Sequence, residues 1–394
     1  MISVQEAEKI ILARSFRPEK EQIDSHQALG SVLGSPISTD RPFPPYNRVT
    51  MDGIAIATSA FENGQRSFQK QTSQFAGEPQ ATLINSVDCI ETATGAILPQ
   101  GCDAIIPYEH LNEEHGTFNF KDDCRFKPQQ NVHRKGSDFD VNTVVVNEGT
   151  LLEPTHLVIA ASIGATDLTV YKKLTVAVVS TGDELVDVAS TPKDHQVRRS
   201  NNVAIETSLP ASLCTVSSFH LDDDETEMQQ WLAVTAPQFD ILIFSGGVSM
   251  GKKDYLPRCL KAHGVEELFH KIAQRPGKPM WFGSKANQVV FGMPGNPVST
   301  HFCTLRYAMP FIQNCYGIRT KRRSVTLGQS VSFAPNLTLF KPVVLDEATA
   351  TAIPIHTNGS GDFISLGKAT GFIELPNDQS EFEAGTLFTY YPFT

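Results

Sequence analysis

Several things are scarce in these 394 residues. The seven cysteines, Cys89, Cys102, Cys124, Cys214, Cys259, Cys303 and Cys315, are scattered, odd in number and without a CxxC pair. That excludes a disulfide framework and a zinc ribbon, and it fits a reduced, cytoplasmic compartment. Long hydrophobic runs are missing. Leu157 to Ala165, the longest, is interrupted by Ser162 and Gly164, far short of the roughly 20 residues of a membrane span. Met1 to Ser15 carries Glu6 and Glu8 and lacks the basic start and apolar centre of a signal peptide. Positive charge is in deficit: 33 Lys+Arg stand against 43 Asp+Glu, a net charge of −10. This excludes nucleic-acid binding through overall charge, yet permits a local basic pocket. None of the 11 histidines falls in HExxH spacing, and no nucleophilic triad pattern emerges.

What is present is an ordinary globular balance, 40% hydrophobic and 19% charged, in a chain long enough for two to four domains. Ser3-Val4-Gln5-Glu6 predicts a capped N-terminal helix, with Val4, Ala7, Ile10 and Ile11 on one face. The Pro-rich Arg41 to Pro45 stretch breaks it off from a region of short β-like runs and turn clusters. From about 170 the texture changes. Leu174 to Val179, Ile241 to Phe244 and Val289 to Phe291 are continuous apolar runs, as expected for strands buried on both faces. Each runs into a glycine-containing loop, and helical segments such as Glu225 to Ala233 and Ser299 to Tyr307 lie between. Strand, loop and helix in repetition predict an α/β unit with a parallel sheet. Short strands return beyond about 320. The expected organisation is an N-terminal and linker unit (1–38 and 140–170), a mostly β insert (39–139), a central parallel α/β domain (171–316) and a small barrel-like β domain (317–394).

Ligands of open α/β sheets sit beyond the carboxyl ends of the strands. There lie Thr181-Gly182, Ser245-Gly246-Gly247 through Ser249 to Gly251, and Pro294-Gly295-Asn296-Pro297. One such loop reads as a tight turn. Three aligned loops favour an anion cradle, because glycine lets backbone N–H groups approach a phosphate. Asp183, Glu184, Asp223 and Asp254 cluster near the same strand ends. Such oxygen donors suit Mg²⁺, which takes one or two carboxylates plus substrate oxygens. For Asp223, within Asp222 to Glu225, helix capping is an equal reading. Lys271, Arg275 and Lys278 form a basic segment whose Pro-Gly and Lys-Pro steps restrain the backbone, a suitable clamp for an oxyanion. Asp52-Gly53 and Arg134 to Asp138 read, by themselves, as turns.

Taken together these motifs resemble the molybdopterin molybdenumtransferases, the MoeA-type proteins related to the gephyrin E domain. The resemblance runs nearly end to end. It rests on Pro44-Pro45, Thr50-Met51-Asp52-Gly53, Thr94-Gly95-Ala96, Gly136 with Asp138, Ser180 to Leu185, Ser245 to Ser249, Gly251 with Asp254-Tyr255, Pro276-Gly277-Lys278-Pro279 and Pro294 to Ser299. It implies insertion of molybdate into adenylylated molybdopterin with release of AMP and with Mg²⁺ present. It also implies an elongated homodimer whose cleft the partner subunit completes, and dealings with a molybdopterin adenylyltransferase and molybdoenzyme chaperones. Carried over by position, it assigns catalytic roles to Asp52, Asp138, Glu184, Asp223, Asp254, Lys271, Arg275 and Lys278. Substrate contacts fall to Thr94, Thr181, Gly182, Ser245, Gly246, Gly247, Ser249, Pro294, Gly295, Asn296, Pro297, Ser299 and Ser360, and metal contacts to Asp183, Glu184 and Asp254. Three positions depart from the family pattern: Arg48 adds a cation near Asp52, Arg275 stands where Lys is common, and Lys341 is the one cation in Leu337 to Lys341, where the family carries an Arg-rich strand. Two other readings compete: an adenylyltransferase-like enzyme sharing only the α/β domain, and a gephyrin-like scaffold without catalysis.

Overall fold

The computed structural model describes residues 1–121, 125–248, 255–319 and 322–393. Its centre is a six-stranded sheet in the order Cys214–Leu221, Leu174–Thr181, Ile241–Ser245, Gln288–Met293, Trp281–Lys285, Glu266–His270. The first four strands are parallel. The last two are antiparallel, so the parallel set ends in a hairpin and the sheet is mixed. Every residue of Ile241–Ser245 is buried, as its unbroken apolar run requires when helices cover both faces. Helices Ser200–Ser208 and Glu225–Val234 follow the pattern, the latter capped by Asp224, whose side chain accepts from the Thr226 and Glu227 N–H groups.

The N-terminal helix Val4–Leu12 starts where Ser3 accepts the Glu6 N–H at 3.1 Å. Val4, Ala7 and Ile11 join the same core as Val176, Phe291 and Phe311. By packing, this helix therefore belongs with the α/β unit. A small connecting unit pairs Lys20–Asp24 with Asp167–Tyr171 around its own core, which includes Leu33, Val146 and Leu168.

The insert is a second six-stranded sheet, ordered Ala104–Pro107, Gly53–Ile56, Asp88–Thr92, Ser67–Gln74, Thr117–Phe120, Leu111–Glu114. Beside it a short ladder pairs Arg48–Val49 with Val132–His133. The C-terminal sheet closes on itself: Thr338–Asp346 pairs with both Thr351–Pro354 and Gly371–Leu375, and Arg323–Leu327 and Leu387–Pro392 complete the ring. Closure removes free edges, apart from one place. There Gln274–Arg275, a segment of the α/β unit, adds in parallel to Thr338–Asp346. That pairing joins the basic segment to the barrel.

Candidate active site

A cavity of about 550 Å³ opens at this junction. One wall is Gln274 to Pro279 with the loop Pro294 to Ser299. The other comes from the barrel, including Phe333, Leu339, Lys341 and Ser360. Of the residues singled out from sequence, Arg275, Lys278, Pro294, Gly295, Asn296, Ser299 and Ser360 meet here. Lys341 joins them, half-buried, and burial pushes its ammonium pKa below the usual lysine value. Among the described residues lining the cavity there are three cations and no Asp or Glu, in a protein of net charge −10. Charges of one sign in a concave site focus their field on a bound counter-ion.

The local geometry follows from the sequence. Gly277 has φ +88, and a Cβ there would stand 2.5 Å from Cys303 Sγ and 2.7 Å from Gln274 Nε2. Both the backbone conformation and the space therefore demand glycine. The Lys271 N–H reaches Met280 O and the Ile272 N–H reaches Lys278 O, each at 2.9 Å, closing the basic segment into a tight hairpin. Lys271 itself does not line the cavity. Asn296 donates to Ser360 Oγ at 2.7 Å, and the Val298 N–H reaches Ser360 O at 3.2 Å, tying the loop to the barrel across the cleft.

The strand-end loops converge alongside. A Cβ on Gly247 would lie 3.0 Å from Thr181 Oγ1, and one on Gly295 would lie 4.0 Å from Gly246 Cα. Asn201 reaches over to donate to Gly295 O at 2.8 Å. Thr181 Oγ1, Ser245 Oγ and Asn201 Oδ1 are buried without a partner among the described residues. Buried polar atoms rarely stay unpaired unless a site uses them. Gly182 has φ +136, and the Glu184 carboxylate folds over it, 2.7 Å from where a Cβ would stand. Asp183 accepts the Asp223 N–H at 3.0 Å, so Asp223 is held there by its backbone while Asp224 does the capping. Among the described residues no group of three or more His, Cys, Asp or Glu is arranged around a metal. Two adjacent exposed carboxylates, Asp183 and Glu184, nonetheless match the sparse protein share of a Mg²⁺ site. Asp254 and Ser249 lie outside the described residues.

Asp52, Thr94 and Asp138 sit elsewhere, on the insert. Asp52 Oδ1 accepts from the Thr94 N–H at 2.7 Å and from Thr94 Oγ1 at 2.8 Å, which holds its carboxyl below the usual carboxylate pKa. Gly53 is obligatory after it, because a Cβ would meet Ile106 O at 1.9 Å. Asp138 Oδ1 is 2.7 Å from His133 Nε2, and His133 Nδ1 is 3.1 Å from Arg48 Nη2. With Arg48 donating to Nδ1, the neutral ring carries its hydrogen on Nε2 and donates to Asp138. The strand pairing of His133 with Arg48 brings them together. Sequence reading missed His133, Gln274 and Asn201. Sequence flanks mark Gln274, a polar residue beside the basic segment, and nothing local marks the other two.

Family models match most of the chain: the MoeA N-terminal region (domain I and II) over residues 2–164, a probable molybdopterin binding domain over 177–314, and the MoeA C-terminal region (domain IV) over 324–393. A molybdopterin molybdenumtransferase of Synechocystis sp. is 36% identical over 397 residues, covering 99% of this chain and 100% of the relative. One from Haemophilus influenzae is 29% identical over 407 residues, covering 100% and 99%. Two crystal structures of a molybdopterin biosynthesis MoeA protein from Pyrococcus horikoshii share the fold, with TM-scores of 0.87 and 0.82 at 24% and 22% identity. Both cover 100% of this chain, and the matches take in 99% and 100% of those chains.

Proposed function

Since the chain belongs to the molybdopterin molybdenumtransferase family, we propose that it is a transferase of molybdenum cofactor biosynthesis that inserts molybdenum from molybdate into molybdopterin. The observation that carries this is the cavity with Arg275, Lys278 and Lys341 in its walls and no acid among its described lining residues. Molybdate is a dianion, and fixed cations that await it lower the barrier to its reaction without reorganising. Arg275 offers a planar fork and Lys278 and Lys341 compact charges. Ser299, Asn296 and Ser360 line the same space and can donate or accept hydrogen bonds.

The pterin substrate is adenylylated and leaves its nucleotide as AMP. Its phosphates lie against Thr181, Ser245, Gly246 and Gly247, where the buried Thr181 and Ser245 hydroxyls have no partner among the described residues. Asp183 and Glu184 would hold Mg²⁺ together with substrate oxygens, and the bound ion would supply positive charge against the phosphoanhydride. The enzyme works as a homodimer in the cytoplasm. The insert's Asp52 and Asp138, which stand apart from the cavity in one chain, reach the partner's cleft. Adenylylated molybdopterin comes from an adenylyltransferase, and the product passes to molybdoenzyme chaperones.

The test supplies adenylylated molybdopterin, Mg²⁺ and molybdate, and follows AMP release together with activation of an apo molybdoenzyme. Both signals should depend on molybdate. Intact protein that releases no AMP would sink the reading. Dimeric completion has its own test: mixing inactive Lys278→Ala and Asp52→Asn chains should restore about a quarter of wild-type activity, from one intact cleft in each mixed dimer. Zero recovery in mixed dimers would place Asp52 in the same chain's site.

A further inference from the structure

Beneath the cationic loop lies a polar side chain to which the chemistry above gives no part. Gln274 is wholly buried, 0% exposed, and a buried amide must find partners. Its Oε1 accepts from the Tyr307 hydroxyl. Its Nε2 donates to Gly277 O at 3.3 Å and lies 3.7 Å from Cys303 Sγ. Tyr307, itself buried, belongs to a π-helical turn, Thr304–Ala308, set between the α-helices Pro297–Cys303 and Met309–Cys315. Single π turns of this kind recur at functional sites.

The placement is specific. Gln274 precedes Arg275, and Gly277, which it grips, precedes Lys278. Gly277 is also pressed against Cys303 Sγ. One buried network therefore fixes the backbone at the roots of both exposed cations. The barrel fixes the other side, with Gln274 paired to Thr338, Arg275 paired to Leu339, and the Thr338 N–H donating to Ala273 O at 3.0 Å. Long Arg and Lys side chains lose much rotamer freedom on ordering, so the origin of each stem decides whether the two heads can meet one small anion. Burial pushes the Tyr307 hydroxyl well above its usual pKa, so it remains a donor. Burial likewise raises the Cys303 thiol, which makes it a packing partner and no nucleophile.

We propose that Gln274, braced by Tyr307 and Cys303, is a positioning residue that sets the spacing of Arg275 and Lys278 for a tetrahedral oxyanion. This rests on the oxyanion reading of the cleft. The test titrates wild type, Tyr307→Phe, Gln274→Met and the double variant with molybdate by calorimetry, beside thermal melts and AMP-release kinetics. Each single change should weaken molybdate binding and raise its KM about tenfold, since one buried partner is lost. The pterin KM should move less than about twofold, because a fault in anion positioning leaves the rest of the site intact. The double variant should bind no worse than Gln274→Met, as both changes cut one link. Equal molybdate affinity in wild type and a stably folded Tyr307→Phe protein would overturn the proposal, and so would equal rises in both KM values. Tyr307→Phe carries the test even where Gln274→Met misfolds. A wild type that takes up no molybdate would overturn the oxyanion reading itself, a result visible before any variant is made.

Discussion

In the cleft, Arg275 and Lys278 are exposed but spring from a backbone locked by the buried Gln274 and the barrel strand. On the insert, Asp52 and Asp138 are exposed and held by groups that are exposed or half-exposed: Thr94 for one, His133 and Arg48 for the other. The contrast follows from side-chain length. A carboxylate on a short stem is aimed by one or two direct hydrogen bonds. A long cationic stem has many rotamers, so precision must come from where its backbone is anchored. The cleft therefore carries its order in the core, and the insert carries it at the surface. Changes to the anchors beneath the cations should be felt in both binding and stability, and changes near the acids mainly in chemistry.

The largest effect should come from Lys278→Ala. Loss of one charge-stabilising donor should cut molybdate-dependent turnover by about 100-fold, while an exposed site keeps the unfolding free energy within about 0.5 kcal/mol. Turnover close to wild type would remove the cleft from the comparison altogether.

Gly277→Ala is next and strikes the anchoring itself. The new Cβ meets Cys303 Sγ and Gln274 Nε2 at a positive φ, so overpacking should destabilise the protein by roughly 1–3 kcal/mol. Molybdate affinity should fall with it. A fall in melting temperature without any loss of affinity would separate anchoring from binding and break the contrast.

Thr94→Val works on the acid side. Thr94 holds Asp52 ionised below the usual carboxylate range. A lowered folded pKa favours the folded state above the ordinary carboxylate pKa, and that benefit is lost as pH falls through the lowered value. Without the hydroxyl, the acid edge of the pH–activity profile should move to higher pH, and the melting temperature at neutral pH should fall only slightly, because the Thr94 N–H still holds Asp52. An unmoved acid edge would show that Asp52 does not govern it.

Ser360→Ala should do least. It removes the acceptor for Asn296 but leaves the Val298 backbone bond. Loss of about 1 kcal/mol or less is expected for one exposed hydrogen bond, read as a few-fold rise in the molybdate KM.

The α/β unit was legible because its strands are unbroken apolar runs: Leu174–Thr181 and Ile241–Ser245 lie where the sequence puts them, and Glu225–Val234 differs from the expected helix by one residue. Local chemistry also marked Arg275 and Lys278, the strand-end loop marked Asn296, and the family resemblance added Ser299; all four line the cavity. The antiparallel hairpin Glu266–His270 with Trp281–Lys285 was not legible, since strand order is a long-range outcome. Nor could sequence place Gln274–Arg275 on the barrel edge, or bring Lys341 to the cations. Arg48 stood out as an extra charge beside Asp52, but its partner His133 is 85 residues away. The π turn beneath the cleft leaves no periodic signature at all, because one extra residue per turn is too small a change in spacing.

The most direct test of the cleft's role is molybdate titration by calorimetry of four proteins: wild type, Arg275→Ala, Lys278→Ala and Asp52→Asn. Binding should be present in wild type, weakened at least about tenfold in both cation variants, and kept in Asp52→Asn. Equal binding by all four, or loss confined to Asp52→Asn, would contradict an oxyanion site built on Arg275 and Lys278.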